Sequence, residues 1–83
     1  AFRTDAANVI IDTLKPAEDG SGDLILRLYE SKKADTYFHV LSGLPVKAIQ
    51  RCDLLENSVG ELEEADAALH VRPFEVLTLR VKL

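Results

Sequence analysis

The sequence predicts an all-β fold, an antiparallel β-sandwich of about six to seven short strands. Two observations carry this expectation. Apolar residues recur with a period of two in several segments, and turn signals rich in Gly, Pro, Asp and Ser separate those segments at spacings of roughly 8 to 15 residues. The 3.6-residue apolar period of an amphipathic helix is not found convincingly anywhere. With 47% apolar and 29% charged residues in 83, the chain has the makeup of one soluble folded domain spanning 1–83.

The first strand is expected in "NVIIDTL" (8–14), dense in β-branched residues, with both faces mostly buried. "KPAEDGSG" then reads as a loop: Pro16 fixes φ, and Asp19-Gly20 and Ser21-Gly22 are turn dipeptides. "DLILRLYES" alternates clearly, Leu24, Leu26 and Leu28 against Ile25, Arg27 and Tyr29. "SKKAD" supplies a charged turn into "TYFHVL", so these two strands are expected to pair as a hairpin. Gly43 and Pro45 break the chain before "VKAIQRCDLL", whose alternation is weaker. "ENSVGELEEAD" (56–66) is rich in acids and has no base, and it reads as a solvated loop anchored by Val59 and Leu62. "AALHV" and then "FEVLTLRVKL" close the chain, the latter with Leu77, Leu79, Val81 and Leu83 on one face.

A net charge of −4 with scattered Lys and Arg opposes a nucleic-acid surface. No apolar run is long enough to span a membrane. The single cysteine, Cys52, allows no internal disulfide and fits a reducing, cytoplasmic setting. The chain starts Ala1-Phe2-Arg3 and contains no Met, which reads as a piece of a larger multidomain protein.

Chemistry-bearing residues each meet a plainer alternative. Glu18, Asp19 and Asp23 superficially resemble a calcium loop, but without the regular spacing of acids around a glycine that such loops need; a turn accounts for them as well. Glycoside hydrolysis takes two carboxyl groups at a fixed separation, one of them desolvated, whereas the acids here all fall in turns. His39, His70 and Cys52 stand singly, with no second ligand at metal-binding spacing. No catalytic, cofactor or metal residue is therefore assigned. Arg27, between Leu26 and Leu28, calls for a carboxylate partner, with Glu30, Glu75 and Asp12 as candidates, or else docks a neighbouring domain. Tyr29 and Tyr37, on strands expected to pair, make either a small sugar-stacking platform or a cross-strand aromatic pair.

Read in order, K-x-A-E (15–18), L-R-L-Y-E (26–30), D-L-L-E (53–56) and P-F-E-V-x-T-L (73–79) resemble the C-terminal β domain of glycoside hydrolase family 38 α-mannosidases, in its cytosolic and bacterial branch. The resemblance implies that the parent chain is a retaining exo-α-mannosidase whose catalytic aspartates and divalent metal, such as zinc, lie in an N-terminal barrel. It implies no catalytic residue and no cofactor in these 83 residues. The partners it implies are the other domains of the same α-mannosidase, with mannosides bound by the parent. Glu18, Asp19, Arg27, Tyr29 and Glu30 are the residues expected to meet those domains. The alternative is a free-standing carbohydrate-binding or protein-interaction module.

Overall fold

The computed structural model describes residues 2–83. Nine strands follow in order: β1 (Phe2–Thr4), β2 (Val9–Pro16), β3 (Leu24–Glu30), β4 (Thr36–Phe38), β5 (Val40–Ser42), β6 (Ala48–Cys52), β7 (Ser58–Glu64), β8 (Leu69–Val71) and β9 (Val76–Lys82). They form a five-stranded sheet in the order β2-β3-β9-β6-β7 and two ribbons, β1-β5 and β4-β8. Every pairing is antiparallel. This is the predicted β-sandwich, built from more and shorter strands.

The core follows from the alternation. Register pairs Leu24 with Val81, Leu26 with Leu79 and Leu28 with Leu77, so the alternate residues of β3 and β9 line one face. The ribbons bring Phe38, Val40, Leu69 and Val71 to that face, and the cluster is closed by Val9 and Ile49. Each such side chain, once buried, contributes about 1.5–3 kcal/mol of transfer free energy, which a domain of this size needs from nearly every inward position.

Three expectations fail, each for a physical reason. β3 does not pair with the "TYFHVL" segment; its neighbours are β2 and β9. "TYFHVL" is instead two strands parted at His39, one paired with β8 and the other with β1. The break is made by Asp5, whose carboxylate accepts the His39 N–H at 2.7 Å while its own N–H donates to the His39 carbonyl at 3.2 Å. The hairpin is β2–β3, closed by the Ala17 N–H donating to the Asp23 carbonyl at 2.9 Å.

The acid-rich stretch 56–66 is not simply a loop: residues 58–64 form β7, an edge strand on β6. Its side chains stay largely exposed on both faces, so no alternation betrays it. The first long strand, finally, is not buried on both faces. β2 is the other edge of the sheet, Ile10 and Leu14 are exposed, and a bulge between Ile11 and Thr13 shifts its register. An edge position also explains how Pro16, which lacks an N–H, is accommodated in the strand.

Candidate functional site

The five-stranded sheet has one face in the core and one turned outward. On the outer face, register sets Ile25, Arg27 and Tyr29 of β3 beside Arg80, Thr78 and Val76 of β9. Two loops fold over this face with their carboxylates. From the β2–β3 loop, Asp23 and Asp19 each reach Arg80 at 2.9 Å, and Asp23 also reaches Lys82 at 3.2 Å. Positive φ at Gly20 (74°) and Gly22 (84°) makes that tight return possible, with the Ser21 N–H donating to Asp19 Oδ1 at 3.1 Å. Hydrogen bonds from Ser21, and then from Arg80, pull the Asp19 carboxyl down to about 2. The Asp23 carboxyl is lowered by Arg80 first, against the opposing effect of burial.

From the turn after β6, Glu56, held at φ 67°, reaches Lys15 Nζ at 2.6 Å and Arg27 Nη2 at 3.3 Å. Arg27 also donates to the Leu54 carbonyl at 2.9 Å and through Nε to Thr78 at 3.4 Å. Its carboxylate partner is thus Glu56, and not Glu30, Glu75 or Asp12. Glu30 lies on the opposite face of the same strand, as alternation requires.

The structure corrects a second expectation at Glu30. Its side chain is 1% exposed, so it has no surface to present to another domain. Its carboxylate accepts Asn8 Nδ2 at 2.8 Å, the Lys32 N–H at 2.7 Å and the Phe74 N–H at 3.0 Å. Burial works to raise its pKa, but these donors, led by Asn8, outweigh it and hold the carboxyl at about 2. Glu18 is exposed, Asp19 faces Arg80 from the surface, and Arg27 and Tyr29 lie on the outer face.

Tyr29 and Tyr37 do not form a joint platform, because β3 and β4 are not paired. Tyr37 stacks instead on His70 across β4–β8, ring centroids 4.7 Å apart at 27°. His70 Nε2 meets Asp35 Oδ1 and His39 Nδ1 meets Asp5 Oδ2, each at 2.7 Å. The Asp5 carboxyl is lowered by the backbone N–H of His39 first and then by its ring. Among the described residues no group of three or more His, Cys, Asp or Glu is placed to hold a metal ion.

One depression, of about 680 Å³, is lined by Arg3, His39, Ser42, Leu44, Val46 and Asp66 among others. Its one lining carboxylate, that of Asp66, contrasts with the pair that glycoside hydrolysis takes. A second feature is apolar. Ile10, Tyr29 and Val76 are adjacent in register across β2, β3 and β9, and a groove of about 310 Å³ continues from Val76 to Leu54 and Val59. The resulting band crosses the outer face with side chains 36–67% exposed.

Residues 8–79 match the family model for the glycosyl hydrolases family 38 C-terminal beta sandwich domain. The chain belongs to this family. It is 34% identical over 82 residues to Alpha-mannosidase G of Dictyostelium discoideum, covering 93% of the chain and 8% of that protein. It is 36% identical over 91 residues to Alpha-mannosidase 2C1 of Homo sapiens, covering 100% of the chain and 9% of that protein. The family 38 C-terminal domain thus spans under a tenth of the length of these relatives. Of its outer-face residues, Lys15, Arg27 and Glu56 fall within three of the four sequence motifs, yet nothing in the sequence pattern pairs them. Asp19 and Asp23 stood out in the sequence as part of an acidic turn, but their pairing with Arg80 left no signal, because Arg80 lies 57 or more positions further along the chain.

Proposed function

We propose that this domain is a non-catalytic accessory part of a retaining exo-α-mannosidase, an enzyme releasing terminal α-D-mannose, and that it braces the catalytic region of that polypeptide. Membership of the family 38 C-terminal domain carries the reading. The geometry supports it: the carboxylates of the outer face are engaged by Arg80, Lys82, Lys15 and Arg27 instead of forming a desolvated acid pair. Glu18, Asp19, Arg27 and Tyr29 belong to the proposed contact with the other domains. The same reading assigns the ligands of a divalent metal such as zinc to the catalytic region of the parent polypeptide. No helix of the described residues is long and apolar enough to cross a membrane, and a cytoplasmic location is part of the same proposal.

Hydrolysis of a nitrophenyl α-mannoside tests this directly. The full-length polypeptide is expected to turn it over, the isolated 83-residue chain is expected to be silent, and deletion of residues 8–83 is expected to lower both activity and Tm. Turnover by the isolated chain, or a deletion that leaves both quantities unchanged, overturns the proposal.

One observation favours a second reading as a carbohydrate-binding module. Tyr37 is 69% exposed, with His70 stacked on its ring and Asp35 bonded to His70. An open aromatic face beside a carboxylate suits a pyranose ring. Chemical-shift changes at Tyr37 on titration with methyl α-mannoside support that reading, and their absence at millimolar sugar removes it.

A further inference from the structure

The β6–β7 hairpin combines features that the sandwich itself does not use. Leu54, Leu55, Val59 and Leu62, all in the turn or second strand of this one hairpin, are 67%, 82%, 66% and 57% exposed, and Leu54 and Val59 line the same groove. Among the described residues β7 pairs only with β6, and most of its side chains are exposed on either face, so it receives little support from the core. The hairpin is nevertheless shaped. Gln50 Nε2 donates to the Gly60 carbonyl at 2.8 Å, Ser58 Oγ donates to Gln50 Oε1 at 3.1 Å, and Arg51 Nη2 ties β6 to the His70 carbonyl at 2.7 Å. Gly60 lies so close to Arg51 that a Cβ there would sit 3.3 Å from the Arg51 Cβ.

The charge around these apolar residues has one sign. From 53 to 66 the chain holds six acids, Asp53, Glu56, Glu61, Glu63, Glu64 and Asp66, and no Lys or Arg. Among the described residues, Glu56 is the one of the six that takes part in an ion pair. Acids on an edge strand discourage pairing with stray strands. That accounts for the charge but leaves four large exposed aliphatic side chains with no role.

We propose that this hairpin docks against another part of the polypeptide that carries the domain, on a surface with an apolar centre rimmed by Lys and Arg. This deepens the accessory-domain reading and rests on it. Two observations select the occupant. The chain covers 8–9% of each relative, so most of such a polypeptide lies outside it, and the unpaired carboxylates call for a cationic rim. A second copy of this domain would bring the same acids face to face, and like charges in contact oppose that pairing.

Hydroxyl-radical footprinting of the full-length polypeptide tests the docking without reference to hydrolysis, so it fails separately from the mannosidase assignment. Leu44 is an internal control of the same residue type at 47% exposure, outside the hairpin. If the hairpin is docked, Leu54 and Leu55 oxidise at least about fivefold more slowly than Leu44, because the centre of an interface excludes water. The variant Glu61→Lys/Glu63→Lys/Glu64→Lys is expected to restore their oxidation, as is raising the salt to about 1 M, where the screening length falls to about 3 Å. Oxidation faster than that of Leu44, in keeping with the exposures in the domain, overturns the docking. Protection that survives both the charge reversal and the salt overturns the cationic partner.

Discussion

Glu30 shows how much of a small sandwich can hang on one side chain. Its two carboxylate oxygens gather Asn8 ahead of β2, Lys32 after β3 and Phe74 ahead of β9. Phe74 and Lys33 both adopt left-handed φ near 58°, so the carboxylate fixes two turns that their own residues do not favour. Glu30→Gln keeps the shape but puts an amide donor where one of the oxygens accepted an N–H, leaving donor against donor in a site 1% exposed. A clear fall in Tm at pH 7, followed by circular dichroism, is expected; an unchanged melt would show that the network is dispensable. Gly20 is the opposite case. A side chain there would meet no atom within 4 Å, so Gly20→Ala should cost only the left-handed backbone, about 1 kcal/mol, by denaturant titration. A cost near zero, or one of several kcal/mol, would contradict that account.

Alternation decides the fate of each strand, and β4 isolates the effect. Tyr37 and Phe38 are neighbours, 69% and 1% exposed. Phe38→Ala should lose about 3–5 kcal/mol by opening a hole among Val40, Leu69 and Val71, whereas Tyr37→Ala should stay within about 1 kcal/mol. Equal losses in urea titrations would mean that the two faces of the ribbon are not divided as described. The same alternation made β3 and β9 legible in the sequence, since inward Leu and Val there face one core. It failed for β7, which hardly touches the core and so writes no pattern. It also failed at His39, where the apolar rhythm of "TYFHVL" runs on through a change of partner strand. What divides β4 from β5 is a carboxylate 34 residues away, and such pairings leave no local trace. The site was half legible for a similar reason: Arg27 stood out because it interrupts a leucine run, but Glu56 could be matched to it only once β6 and β3 were known to flank β9.

For the whole molecule, those distant carboxylate contacts set the response to acid. Glu30 and Asp19 are both held at about 2, against ordinary values of 4.5 and 3.8, and the carboxyls of Asp5 and Asp23 are displaced in the same direction. A carboxyl depressed on folding binds its proton more weakly in the folded chain than in the unfolded one. Its stabilising effect is therefore complete above the ordinary value and is lost as pH falls through the folded value. The contributions of Glu30 and Asp19 should be intact above pH 4.5 and drain away between 4.5 and about 2. Stability measured by urea titration at successive pH values should be level near neutrality and then decline steeply across that window. The two variants divide the slope by location. Asp19→Asn loosens only the lid over Arg80 and should flatten the lower part of the decline with little loss at pH 7, while Glu30→Gln should lower the neutral plateau as well, because it breaks a network inside the fold. A wild-type curve that is flat down to pH 2, or variants that keep the full wild-type slope, would mean that these carboxylates are no better solvated by the folded chain than by water.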